Sequence, residues 1–319
     1  MSQGEHPADV CVLGEAMALF VASDGMPLTT SRAFLRSVAG SESNVAVGLG
    51  RLGYRVCMYG RVGRDPAASW VRGALRESGV CTCGLADDPE APTGILIRDA
   101  PGGRKVTVSY HRQGSAGSRV AVDDLRPGHI ARCRALFVSG ITCMLSDSAA
   151  ACALSAAELA RENSVHVVFD PNIRARLGGP EAWRHRLAPM CELADTVILG
   201  EAESQVLWPG RPLGEPRRDQ QTVVVRMRDR TARAYQGGLQ AAATARAVSV
   251  TDPVGAGDAF TSGWISGWLD GREPARCLSR GHLMASLAVS TLGDIEGLPA
   301  AADLADMEAA EGSGDDVDR

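Results

Sequence analysis

Aromatic side chains make up only 4% of this chain, so large rings cannot carry the interior, and Ala, Val, Leu and Gly must fill it. An excess of positive charge is also missing: 33 basic residues face 38 acidic ones, for a net charge of −5. Non-specific nucleic-acid binding needs basic patches that neutralise phosphates, so that class of partner is not expected. The arginine-rich runs Arg217-Arg218 and Arg226-Met227-Arg228-Asp229-Arg230 are broken by acids and read as solvated faces. No apolar run approaches the roughly 20 residues of a membrane span. The first nine residues are polar and lack the apolar stretch of a secretory signal. A cytoplasmic protein without a membrane partner is expected.

Cysteine, by contrast, is plentiful. The nine cysteines are odd in number and mostly sit inside apolar segments, as in Val10-Cys11-Val12-Leu13 and Val56-Cys57-Met58-Tyr59. They read as small hydrophobes kept reduced. The one close pair, Cys81-Thr82-Cys83, has no second Cys or His cluster beside it in the sequence, which argues against zinc.

The 319 residues, 45% apolar and 22% charged, suffice for a sizeable core in one large soluble domain. Their most informative stretch is Asp252-Pro253-Val254-Gly255-Ala256-Gly257-Asp258-Ala259-Phe260. A β-branched run (Val248, Val250, Thr251) leads in, and an apolar helical pattern follows. Gly255-Ala256-Gly257 is then a glycine turn at a helix N-terminus. Its amides and the helix dipole can hold a phosphate or a developing anion. Asp258 lies where a carboxylate could take a proton from a hydroxyl beside that anion, the pairing that hydroxyl-to-phosphate transfer requires. On spacing alone the same residues also describe an ordinary α/β helix start.

Along the chain, 10–13 and 56–59 read as buried strands and 44–52 as a helix ending at Gly53. Gly48-Leu49-Gly50-Arg51-Leu52-Gly53 fits a dinucleotide fingerprint, but its glycines fall inside and at the end of a helical pattern, so that reading fails. Asp65-Pro66 opens a helix to Ser78, and 95–97 with 105–110 form a hairpin. Strands at 135–139, 165–170, 196–199 and 222–226 alternate with helices at 146–162 and 181–193, and 278–292 is a last long helix. Alternation of this kind predicts a parallel sheet covered on both faces. The expected fold is α/β and doubly wound, one domain over 1–305, with a small β-lid from about 16–38 and 94–112. Residues 306–319, rich in Ala, Gly and acid, are expected to be a disordered tail. Asp170, Arg174, Gly200, Glu203, Arg226 and Asp258 each follow an expected strand, so they share the crevice at the strands' carboxyl ends.

The Asp-Pro-Val-Gly-Ala-Gly-Asp-Ala-Phe stretch resembles the C-terminal motif of the ribokinase-type (PfkB) sugar kinases. Ala39-Gly40-Ser41-Glu42-Ser43-Asn44-Val45-Ala46 is similar to their substrate motif, and Gly60-Arg61-Val62-Gly63-Arg64-Asp65-Pro66 to their Gly-x-Val-Gly-x-Asp turn. Tyr110-His111-Arg112-Gln113-Gly114-Ser115-Ala116-Gly117-Ser118, Asp170-Pro171-Asn172-Ile173-Arg174 and Gly293-Asp294-Ile295-Glu296-Gly297-Leu298-Pro299 resemble the 2-keto-3-deoxygluconate kinase branch. The matches run in family order from about residue 10 to 300.

The resemblance implies a ribokinase-like fold and ATP-dependent phosphorylation of a sugar acid. Asp258 would be the general base, with Gly255, Ala256 and Gly257 stabilising charge through their amides. Gly40, Asn44, Tyr110, Arg112 and Arg174 would bind the sugar. Asn172, Arg174, Gly200, Arg226, Arg228, Gly255, Gly257 and His282 would serve ATP. Glu203 would serve hydrated Mg²⁺, and the lid would make a homodimer. Three departures stand out. The family's Lys-x-Gly-x-x-Gly nucleotide loop is Arg226-Met227-Arg228-Asp229-Arg230-Thr231 here, without its glycines, and Leu96 stands where the branch has a lid tyrosine. His282 replaces an Asn near the adenine. A kinase of another sugar, or a non-catalytic sugar-binding relative, stays open on these residues.

Overall fold

The computed structural model describes residues 7–99, 106–236 and 239–313. In chain order its strands are β1 Val10–Leu13, β2 Met17–Ala22, β3 Phe34–Ala39, β4 Val56–Gly63, β5 Val80–Asp88, β6 Ile95–Arg98 and β7 Val108–His111. They continue as β8 Ala135–Ser139, β9 His166–Asp170, β10 Thr196–Gly200, β11 Thr222–Arg226, β12 Thr231–Gln236 and β13 Leu239–Thr244. The helices are α1 Ser41–Arg51, α2 Pro66–Glu77, α3 Pro127–Ile130, α4 Gly140–Leu145, α5 Asp147–Glu162, α6 Pro180–Leu193, α7 Glu201–Leu207, α8 Ala256–Leu269, α9 Pro274–Val289 and α10 Ala301–Ser313.

Nine strands make one sheet in the order β13-β12-β11-β10-β9-β8-β1-β4-β5. Every pairing from β11 to β5 is parallel, and β12 and β13 add an antiparallel edge. Both faces are covered, which is why the central strands are continuously apolar: all four residues of β1 are at most 1% exposed. Alternation splits them between two cores. Val10 and Val12 join α1, α2, α8 and α9, while Cys11 and Leu13 join α5 and α6. The scarcity of rings is met by close approach of small residues: α5 buries Ala149, Cys152, Ala153, Ala156, Ala157 and Ala160. Asp65 caps α2 by accepting from the Ala68 amide at 2.8 Å, with Pro66 in the first turn.

A second sheet, β3-β2-β6-β7, is the lid. Strands β2, β6 and β7 lie inside the two stretches expected for it and β3 runs one residue past, to Ala39; the hairpin's second strand is Val108–His111, and its expected start at 105 lies outside the described residues. Two expectations are corrected. No strand forms over 248–251, where Val248 and Val250 are exposed, so Asp258 does not directly follow a strand. The expected disordered tail begins as helix: α10 runs to Ser313, anchored where Glu308 accepts from Arg280 Nε at 2.7 Å and Arg272 Nη1 at 2.8 Å. Buried guanidinium needs a partner, and Glu308 supplies it. Residues 314–319 lie outside the described residues.

Candidate active site

Two helices begin at one point. The N-cap residues of α1 and α8 are Gly40 and Gly255, both at positive φ, 129° and 84°. A Cβ at Gly40 would lie 2.2 Å from the Glu15 carbonyl oxygen, and one at Gly255 2.5 Å from that of Asp294. Only glycine permits this approach, and it brings two helix N-termini, with their unpaired amides, to one space.

Asp258, in the first turn of α8, bridges them. It accepts from Ser41 Oγ at 2.7 Å and Asn44 Nδ2 at 2.8 Å, both on α1, and from Asn172 Nδ2 at 3.3 Å. Asn172 is held at φ 43° just after β9, its amide on Asp170 Oδ1 at 2.9 Å. Burial pushes the Asp258 carboxyl above the ordinary carboxylate range, while Ser41, Asn44, Arg174 and Arg226 pull the other way. A buried carboxylate of raised proton affinity, fixed by three donors, suits a general base.

On one side of Asp258 a cleft of about 910 Å³ is lined by the 254–258 turn, Arg174, Arg226, Arg230 and His282. On the other, a chamber of about 90 Å³ beneath the lid is lined by Gly40, Asn44, Leu96, Tyr110 and Arg112. Asp258, Gly255, Tyr110 and Arg174 line both. Within the chamber Arg112 pairs with Glu15, which is 1% exposed and also accepts from Ser115 Oγ at 2.5 Å. Arg112 Nε is buried without a partner, so one donor stays in hand. Asn44 Oδ1 is likewise buried and unpartnered.

The cleft side differs from expectation. Arg226 is a mostly buried cation, 3.2 Å from Asp170 Oδ2 and 3.7 Å from Glu203 Oε2. Its Nη1 lies against Gly257, where a Cβ would stand 2.7 Å away, and has no partner. Arg228 is exposed, sits outside the cleft lining and gives its amide to Glu201 at 3.4 Å. Arg230, at φ 67°, lines the cleft instead. Asp170 is 1% exposed; burial raises its carboxyl to about 7, against the opposing charge of Arg226.

Glu203 Oε1 accepts from the Ile173 amide at 2.7 Å and Oε2 from the Gly200 amide at 2.6 Å. The carboxylate therefore ties the start of α7 to the 170–174 loop. Each oxygen keeps a lone pair, which can accept from a water of a hydrated Mg²⁺. Among the described residues no cluster of three carboxylate or imidazole ligands closes there. Gly200 lies behind this clamp, outside the cleft lining. His282 does line the cleft, edge-on to Phe260 at 5.2 Å, with Nε2 3.1 Å from the Ala243 carbonyl oxygen. Burial lowers its pKa, while the hydrogen bond to Ala243 acts the other way.

Sequence reasoning missed four participants. Glu15 directly follows β1, so the carboxyl-end rule would have found it. Ser41 and Glu42 lie in a quoted motif: Glu42, 1% exposed, accepts from Ser139 Oγ at 2.7 Å and from Thr142 Oγ1. Arg98 had no local signal. It ends lid strand β6 with no exposure and reaches Asp252 at 2.6 Å and Asp294 at 2.9 Å.

The sequence profile of the pfkB family carbohydrate kinases matches residues 7–301. The chain is 33% identical over 312 residues to a 2-dehydro-3-deoxygluconokinase of Thermoproteus tenax, covering 93% of this chain and 94% of that one. It is 30% identical over 311 residues to a 2-dehydro-3-deoxygluconokinase of Bacillus subtilis, covering 95% and 96%. A solved PfkB protein from a Polaromonas species superposes with a TM-score of 0.83 at 30% identity, covering 93% of this chain and 99% of that one.

Proposed function

This chain belongs to the pfkB family of carbohydrate kinases, and from that premise we propose that it moves the γ-phosphoryl group of ATP to the 6-hydroxyl of 2-keto-3-deoxygluconate. The observation that carries the proposal is that Asp258 lines both the chamber beneath the lid and the larger cleft beside it. A sugar in the chamber presents a hydroxyl to Asp258, which takes its proton as the oxygen attacks phosphorus. The amides of Gly255, Ala256 and Gly257 face the group in transit and stabilise its charge. Gly40 gives the sugar close access to backbone, and Asn44 Oδ1 offers a free acceptor to a hydroxyl. Arg112 and Arg174 supply planar donors for a carboxylate.

ATP occupies the cleft, its base by His282 and its phosphates toward Asn172, Arg174 and Arg226. A hydrated Mg²⁺ arriving with ATP would neutralise phosphate charge, its waters donating to Glu203. The relatives named above are called 2-dehydro-3-deoxygluconokinases, which supports the acid sugar. Phe34 and Leu35, 40% and 51% exposed on edge strand β3, support a homodimer through the lid. The nine free thiols suit the reducing cytoplasm, and no helix among the described residues is long and apolar enough to cross a membrane.

The test is ADP release over a panel of acid and neutral sugars. 2-Keto-3-deoxygluconate should give the highest kcat/KM; a neutral hexose or pentose ahead of it overturns the assignment. One observation favours a second substrate: Leu96, 6% exposed, faces the chamber without a hydroxyl, beside Tyr110 in register. A related sugar acid that does not need that hydroxyl is the alternative the same panel decides.

A further inference from the structure

Far from this chemistry, at the amino ends of the strands, three thiols meet. Cys57 is the second residue of β4 and Cys81 the second of β5, and the parallel register sets them side by side. The register then slips between Cys57 and Tyr59, where β5 carries an extra residue. That irregularity brings Cys83 to the same point. Cys57 Sγ and Cys83 Sγ are 3.4 Å apart, and the three sulfur atoms all lie within 4.8 Å of one another. No sequence spacing signals this, because Cys57 is 24 positions before Cys81 and joins it only by strand pairing.

Three properties point to a ligand. Thiolates about 2.3 Å from a tetrahedral zinc stand roughly 3.8 Å apart, so these sulfurs close on such an ion with shifts of an ångström or less. The donor set is all sulfur, the set that selects zinc and copper(I) over magnesium or calcium. Entry is open, since Cys57 is buried, Cys81 is half-buried and Cys83 is exposed on the edge strand. The other six cysteines are buried and make no three-ligand group among the described residues.

We infer that Cys57, Cys81 and Cys83 form a binding site for one thiophilic metal ion, separate from the phosphotransfer site. Zinc(II) would complete its tetrahedron with a water at the Cys83 side; copper(I) would be held by the three sulfurs alone. Either ion staples β4 to β5 at the sheet's edge.

The full-length, reduced, metal-free chain is titrated with Zn²⁺, and separately with Cu⁺, against a colorimetric chelator. Cd²⁺ serves as a spectroscopic probe of sulfur coordination. One equivalent should bind, with a sulfur-to-cadmium charge-transfer band and protection of three thiols from a disulfide reagent. Cys83→Ser, at an exposed position, should weaken binding about tenfold or more while kcat and KM stay unchanged. Cys81→Ser should do the same, which guards against misfolding of a single variant. The ion that competes better with the chelator identifies the occupant. Binding that is absent, or equal in wild type and both variants, overturns the inference. So does loss of two hydrogens in air to a Cys57–Cys83 disulfide that the metal does not prevent.

Discussion

Asp258 has two tasks that a single substitution separates. In the proposed reaction it accepts a proton; as a buried charge it costs stability that Ser41, Asn44 and Asn172 only partly return. Asp258→Asn should lower kcat by about 10²–10⁴ in an ADP-release assay, while the melting temperature holds or rises. More than a tenth of the wild-type turnover would show that another group takes the proton. Arg112 invites a paired experiment, because its guanidinium already holds Glu15. Arg112→Ala should raise KM for an acid sugar at least about tenfold and hardly alter that for a neutral one, a charge-assisted bond being worth about 1.5–3 kcal/mol. Removing it also strands the Glu15 carboxylate, so Arg112→Ala with Glu15→Gln should recover stability without recovering acid preference. Equal losses on both sugar types would make Arg112 a scaffold for Glu15.

At the scale of elements, the β11–β12 turn lacks the glycines that the resemblance led one to expect there. Arg226 is committed to Asp170 and Glu203, and the turn reaches the cleft through Arg230 in a left-handed conformation. Arg228→Gly with Thr231→Gly should lower KM for ATP, by letting backbone amides approach the nucleotide; calorimetric titration with ATP reads it, and unchanged or weaker binding would mean the turn is shaped for another purpose. Helix α10 makes a stability prediction. Glu308→Ala removes a bidentate partner from buried Arg280 and should cost about 1.5–3 kcal/mol in urea unfolding. The helix was illegible beforehand, because its Ala-Gly-acid composition resembles a solvated tail and its anchors, Arg272 and Arg280, lie about 30 residues away. By contrast the central strands and the helix start at Gly255 were legible, since apolar period, glycine and caps are local signals. The site was half legible: motif residues fell where expected, but partners such as Glu15 and Arg98, and the diversion of Arg226, depend on packing across the sheet.

For the whole molecule, buried carboxylates set the response to pH. An unfolded Asp titrates near about 3.9, whereas Asp294 is raised to about 6 and Asp170 to about 7, in each case first by burial. Between those limits the folded chain binds more protons than the unfolded one, so stability falls as pH rises. The contribution is whole below about pH 4 and is lost as pH climbs through 6 and 7. Lowered carboxylates such as Asp65 and Asp88 act in the opposite sense, but only at lower pH. Asp170→Asn should flatten the melting temperature between pH 5 and about 7.5, and a variant as steep as wild type would remove Asp170 from the account. The Arg98 triad carries a consequence of another kind. It joins the last residue of a lid strand to Asp252 and Asp294, which frame the glycine turn, with all three side chains withdrawn from water. Taking Arg98 away leaves two carboxylates buried together, a penalty of about 3–5 kcal/mol. Lid and body are thereby denied independent lives: neither can melt first without stranding charge in the other. In a scanning calorimeter they should give one cooperative transition, whose calorimetric and van't Hoff enthalpies agree, and Arg98→Met should be the change that splits it in two.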